Sequence, residues 1–197
     1  MLNHYKLVVL ITLNTRETDP FRQQMIDLLP RLRRFAYTLT SDRCEADDLV
    51  QAACERALSR RDQFREGTRL DSWMFRIIHT LRIDASRSLK FRTSHSSFDE
   101  KYDSGDAVKN EYNKIEARML LENVKQAMAR LSENDRAVLA LVCVDGMSYR
   151  EAADTLAVPV GTVMSRLARA RIKLAKLVYG SKKSRHMPAE NNGGANG

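Results

Sequence analysis

The stretch from Ser148 to Arg171, SYREAADTLAVPVGTVMSRLARAR, restricts the fold more than any other part of the chain. Ser148 followed three residues later by Glu151 has the form of a capping box. In that motif a hydroxyl and a carboxylate each satisfy a backbone N–H that a helix start leaves unpaired. Ala152 and Ala153 put small side chains where a second helix would cross the first. Ala157-Val158-Pro159 is a brief turn, since Pro cannot extend the helix before it. The following segment, from about Gly161 to Leu177, buries Val163, Leu167, Ala170 and Leu174 along one face. Two helices joined by so short a turn must cross at a steep angle.

The other face of that second helix carries Met164, Ser165, Arg166, Arg169, Lys173 and Lys176. Between 160 and 183 there are seven basic residues and no acidic one. A solvated basic helix on a bundle has this charge alone, but not the cap, the small-residue crossing and the short turn with it. Together they describe a helix-turn-helix, whose second helix enters the DNA major groove, where Arg reads guanine edges bidentately. Thr162, Met164, Ser165, Arg166, Arg169, Arg171 and Lys173 are the candidate contacts, with the Gly161-Thr162 N–H groups facing a phosphate. The whole chain agrees in sign: 33 Lys+Arg against 25 Asp+Glu give a net charge of +8, which favours polyanions.

The rest reads as helix too. Gly and Pro number only 8 and 4 in 197 residues, and no stretch sustains period-two alternation. The expected fold class is all-α, with two small helical domains, 19–92 and 113–180, joined by a linker over 93–112. In the first, Asp19-Pro20 starts a helix, and Pro30 predicts a kink or break within it. Asp42 with Glu45 predicts a second capping box; Phe64 to Thr68 is a loop; a third helix runs from near Asp71 to about Lys90. That third helix sorts into a core face of Trp73, Met74, Ile77, Ile78, Leu81 and Ala85. The solvent-directed face is Phe75, Arg76, His79, Arg82, Ile83, Ser86 and Arg87. A basic face with aromatic and aliphatic residues suits unstacked DNA bases.

Residues 93 to 113 hold five acidic side chains and two lysines with no apolar period, as a flexible acidic linker does. Residues 1–18 and 181–197 are expected to be a loosely docked extension and a disordered tail. The apolar run Leu7 to Leu13 is too short to span a bilayer, so no membrane insertion is expected. Cys44, Cys54 and Cys143 form no CxxC pair, and the four histidines complete no zinc pattern. Neither a metal, a cofactor nor a nucleophile–base set is expected, so the chain is read as a cytoplasmic protein and not an enzyme.

Asp47-Asp48-Leu49-Val50-Gln51, Phe64-Arg65-Glu66-Gly67 and Ser72-Trp73-Met74-Phe75-Arg76-Ile77 resemble the σ2 domain of the sigma-70 family. Leu131-Ser132, Asp145 to Ala153 and Pro159 to Val163 resemble its σ4 domain. The two matches stand in the order of an extracytoplasmic-function sigma factor, with no further domain. The resemblance implies a subunit that binds the RNA polymerase core through β and β′ and directs promoter-specific initiation. Asp47, Asp48 and Gln51 would grip the β′ clamp helices. The loop of Phe64, Arg65, Gly67, Thr68, Arg69 and Asp71 would capture a flipped base of the −10 element. Phe75, Arg76, His79 and Thr80 would line the strand-opening face, and the recognition helix would read the −35 element of promoter DNA. An anti-sigma factor is a further partner common in this group. Ala52 stands where many relatives have Glu, and Met164 where Arg is frequent; these imply a missing polymerase contact and an altered base preference.

Overall fold

The computed structural model of the chain describes residues 19–65, 67–92 and 111–183. The N-terminal apolar run, nearly all of the acidic segment and the Gly/Asn-rich tail lie outside the described residues. Within them, all regular structure is helical.

The first helix, α1 (Pro20–Thr40), starts as its sequence dictates: the Asp19 carboxylate accepts the Phe21 N–H at 3.1 Å, and Pro20 occupies the first turn. Ser41, in the left-handed region at φ 63°, ends it by donating its N–H to the Tyr37 carbonyl. Of the expected kink or break at Pro30, the break does not occur: the helix is continuous through it. Pro30 is solvent-exposed, so water can serve the carbonyl four residues earlier that loses its N–H partner. Helix α2 (Arg43–Ser59) opens on Asp42, whose side chain accepts the Glu45 N–H at 2.7 Å. Only this half of the expected capping box forms: the Glu45 carboxylate turns to Arg82. A 3-10 turn over Arg61–Gln63 and the loop to Arg69 lead into α3 (Leu70–Arg92).

These three helices bury Met25, Leu29, Leu32, Phe35 and Leu39 of α1 against Val50, Ala53 and Ala57 of α2 and Met74, Phe75 and Ile78 of α3. The alanines on α2 permit close approach to α1, and burying each large side chain contributes about 1.5–3 kcal/mol. Phe21, Phe64 and Trp73 form an aromatic cluster at one end, with ring centroids 5.4–6.3 Å apart.

The second block holds α4 (Glu111–Ala129), α5 (Glu133–Leu139), α6 (Tyr149–Leu156) and α7 (Val160–Lys183). Ser132 caps α5 through the Asp135 N–H at 3.2 Å. A π turn over Ala140–Val144 follows, widening the last turn before Asp145-Gly146. The predicted capping box of α6 is complete: Ser148 Oγ accepts the Glu151 N–H at 3.2 Å and Glu151 Oε2 accepts the Ser148 N–H at 2.8 Å. Ala152 and Ala153 are buried where α7 crosses. Ala157 closes α6 at φ 53°, a left-handed conformation in which it and Val158 donate back to the Asp154 and Ala153 carbonyls.

The two blocks touch. Helix α3 packs on α6, and α1 packs on α5 and the π turn. One buried cluster runs from Phe21 through Phe75 to Leu141 and Val163.

Candidate nucleic-acid interface

Helix α7 carries its basic residues on the sides that the α5–α6 core leaves open. Val163, Leu167, Ala170 and Val178 are buried. Thr162, Ser165, Arg166, Arg169 and Lys173 follow one another at helical spacing along one flank. Ser165 Oγ donates to the Thr162 carbonyl at 3.1 Å and Arg169 Nε to the Ser165 carbonyl at 3.3 Å, which orders this flank. Met164 and Arg171 lie on the other flank, so the seven candidates do not form one surface. Met164 is half-exposed. Arg171 reaches the Cys143 sulfur at 3.4 Å, and that contact holds its guanidinium proton more firmly than usual. Lys173 Nζ donates to the Arg130 carbonyl at 2.8 Å, anchoring α7 to the end of α4.

In the first block, Asp48 is exposed and Gln51 half-buried, with Gln51 Nε2 donating to Glu55 at 3.1 Å. Asp47 differs from its neighbour, since it pairs with Arg33 of α1 at 3.2 Å. The Phe64 loop borders a cavity of about 460 Å³ lined by Pro20, Phe21, Gln24, Arg61, Phe64, Gly67 and Thr68. Gly67 sits at φ 85°, where a side chain would be strained, and this turn exposes Arg65 and Thr68 at the rim. Phe64 is not a free ring: it leans on Phe21 and Trp73.

The α3 face departs from its sequence assignment. Phe75, expected toward solvent, is fully buried and meets Phe35 edge-on at 4.9 Å, with the Arg31 guanidinium 5.6 Å from its ring centroid. Phe75 follows Met74 directly, and both are swallowed because α1 and α2 together wrap more of α3 than one helical stripe. Ala85, assigned to the core, is exposed instead. Arg76 and Thr80 are exposed, and His79 is half-buried against the second block. Burial lowers the His79 pKa first of all, with Arg166 adding to the effect, while Asn134 and Glu133 oppose it.

What the spacing of motifs could not reveal is a set of polar ties between the blocks. Arg76 Nε donates to the Thr155 carbonyl at 3.0 Å, and its Nη2 to the Asp154 carbonyl. Arg69 pairs with Glu151, and Arg82 binds Glu133 at 2.9 Å as well as Glu45. Ser86 donates to Glu133. Arg31 bridges Asp71 at 3.0 Å and Asp145 at 2.6 Å. Burial works against the charge on Asp71, but the bonds from Arg69, the Ser72 N–H and Arg31 outweigh it and hold the carboxyl below its ordinary range. Arg136 is buried at the same seam, with its Nη1 3.5 Å from Ser41 Oγ and its Nε unpartnered among the described residues. Apart from the local bonds of Asp71 to Arg69 and Ser72, the hydrogen-bonded and ion-paired partners named here for Arg31, Arg69, Arg76, Arg82 and Ser86 lie at least 37 positions away in sequence, so no local pattern announces them.

Comparison with known proteins agrees with the two-block layout. Residues 121–174 match the family description "Sigma-70, region 4", and residues 25–79 match "Sigma2 domain of PhyR". The chain is 35% identical over 162 residues to the ECF RNA polymerase sigma factor EcfG of Rhodopseudomonas palustris, covering 82% of this chain and 87% of that one. It is 32% identical over 137 residues to the ECF sigma factor SigL of Mycobacterium tuberculosis, covering 69% and 76%. Among solved structures it is similar to the sigma factor RpoE of Bartonella quintana, crystallised with the anti-sigma factor NepR. The TM-score is 0.67 at 30% identity, over 81% of this chain and 96% of that one. CnrH, in complex with the cytosolic domain of CnrY, gives a TM-score of 0.60 at 25% identity over 90% and 98%. The chain therefore belongs to the extracytoplasmic-function sigma factors of the sigma-70 family, the RNA polymerase subunits that direct promoter-specific transcription initiation.

Proposed function

We propose that this sigma factor divides promoter reading between its two blocks as follows. The σ4 block, 113–180, reads the −35 element through Thr162, Ser165, Arg166 and Arg169, with Met164, Arg171 and Lys173 on the flanks of the groove. The carrying observation is that this flank of α7 is ordered by its own hydrogen bonds in a helix without an acidic side chain. Arg169, already held by the Ser165 carbonyl, loses less rotamer freedom when it meets a guanine edge.

The σ2 block, 19–92, takes the −10 element. The cavity beside Phe64, Gly67 and Thr68 is the place for a flipped base, with Arg65 and Arg69 near the strand's phosphates and Asp71 fixing Arg69. Arg76, Thr80 and His79 line the adjoining face. Unstacking a base costs a few kcal/mol, offset by stacking and hydrogen bonds in such a pocket. Phe75 has no part in this, being core. Asp48 and Gln51 face the polymerase core; Asp47, tied to Arg33, acts by holding α2 on α1.

An anti-sigma factor is the further partner we propose, because the similar sigma factor RpoE of Bartonella quintana was crystallised with one. An apolar groove of about 490 Å³ between the blocks, lined by Tyr37, Leu121, Val124, Met128, Val144 and Leu174, suits an amphipathic helix. We place the protein in the cytoplasm with its polymerase; no helix among the described residues is long and apolar enough to cross a membrane.

The test is selection of duplexes from a random library by the reconstituted holoenzyme. Recovery of two separated sequence blocks, both required, is the expected outcome. Recovery of one block only, read by α7, would mean that σ2 contributes no promoter reading.

A further inference from the structure

The pocket beside Phe64 has a second wall, built outside the σ2 motifs. It consists of Gln24 of α1 and Arg61, the first residue of the 3-10 turn. Arg61 reaches back 42 positions to Asp19, the N-cap of α1: its Nη2 donates to Asp19 Oδ1 at 2.9 Å, and its Nη1 to Oδ2. Its Cζ lies 5.1 Å from the centroid of the Phe21 ring, so a cation–π contact holds the guanidinium as well. Even so, the Arg61 side chain is 53% exposed and faces the open cavity.

Donors outnumber acceptors on this wall. Asp19 Oδ1 already accepts from Arg61 and from the Phe21 N–H at 3.1 Å, and Oδ2 accepts from Arg61 with Arg22 Nε 3.5 Å away. That fills the lone pairs of the carboxylate. Arg61 has spent one N–H of each Nη, leaving Nε–H and the second hydrogen of each Nη without an acceptor among the described residues. The side-chain acceptors that remain are the Gln24 carbonyl and Thr68 Oγ, whose proton goes to the Arg65 carbonyl at 2.6 Å. Thymine is the one base with ring carbonyls and no exocyclic amino group, whereas adenine has an amino group and no carbonyl.

We propose that Arg61 sets the base preference of the −10 pocket: its free N–H groups select a flipped thymine, whose carbonyls accept them, over adenine, whose amino group meets them donor to donor. Asp19 is the positioning residue that fixes the guanidinium, and the Gln24 carbonyl takes the thymine N3–H. The proposal rests on the reading of this cavity as the base-capture site.

The test uses the reconstituted holoenzyme on a promoter recovered by the library selection, with its −10 region pre-opened. Each −10 position is replaced in turn by every base and by an abasic nucleotide, and affinity is read by fluorescence anisotropy. The captured position is the one where the abasic nucleotide costs most. There the wild type should bind thymine about tenfold more tightly than adenine. Arg61→Ala should bring the two toward parity while the abasic loss remains, because the aromatic wall of the pocket is still in place. Asp19→Asn keeps the α1 cap but leaves Arg61 a single oxygen, so its preference should be intermediate. Arg61→Lys, a charge without the fork, should not restore the wild-type preference. A ratio of affinities within one protein does not depend on the fraction folded, so a destabilised variant still reports. Preference of the wild type for any other base, or a preference unchanged in Arg61→Ala, overturns the proposal. So does an Arg61→Ala loss equal for every base and the abasic site, which would assign Arg61 to a phosphate. Absence of an abasic loss at every position refutes the cavity as the base-capture site, and the role of Arg61 with it.

Discussion

Arg76 on α3 donates from Nε to the Thr155 carbonyl at 3.0 Å, across the seam between two blocks that the sequence presents as separate. Its neighbour in sequence, Phe75, points the other way, into the σ2 core. One helical step thus separates a packing residue from a polar contact, and mutations at the two positions should part accordingly.

Phe75→Ala should destabilise σ2 by about 3–5 kcal/mol through the cavity it leaves beside Phe35 and Met74. Phe75→Leu should cost less and leave promoter opening intact. Urea denaturation gives the first quantity and permanganate reactivity of opened thymines the second. Loss of opening in a fully folded Phe75→Leu protein would return Phe75 to the DNA surface.

At the −35 element, Ala at Arg166 or Arg169 should cost about 1–3 kcal/mol and relax preference at one base pair if the side chain reads guanine. Competition binding of the holoenzyme against single-base promoter variants measures this. A uniform loss over all sequences would assign that arginine to a phosphate.

On α2, Asp48→Lys should weaken core polymerase binding, whereas Asp47→Ala should act mainly on stability, by less than about 1 kcal/mol, because its partner Arg33 is partly solvated. Equal losses of core affinity at both positions would show that Asp47, too, touches polymerase.

The closed arrangement should loosen in acid. His79 has a folded pKa below its ordinary 6.5, so its neutral form is favoured by folding. That stability is present above 6.5 and is lost as pH falls through the lowered value. Protonation would place a second cation beside Arg166, with Glu133 the acidic group that tempers it and Asn134 a neutral partner. Asp71, also lowered, adds a further loss nearer the carboxylate range, where the Arg31 bridge to Asp145 loses one of its ends. Scattering across pH 7.5 to 5.5 should show expansion that His79→Gln suppresses in this window.

The local grammar of the chain was readable. Asp19-Pro20 and the Ser148–Glu151 box each start a helix where their chemistry says, and the recognition helix follows from Pro159 and its apolar spacing. Failures came where two helices act on a third. Phase along α3 could not assign Phe75, because burial there depends on α1 and α2 closing from two sides. Glu45 looked like half of a capping box until Arg82 of α3 claimed its carboxylate. Arg31 and Glu133 carry no motif, and nothing in the motif that holds Asp145 points to Arg31, which meets it across 114 positions. Only the docking of the blocks gives them a role.

Run-off transcription with purified core polymerase and a genomic promoter library tests the whole account most directly. The account predicts discrete start sites that require this protein, that vanish with mutation of either promoter element, and that Asp48→Lys weakens. No start site from any promoter in the library would contradict it.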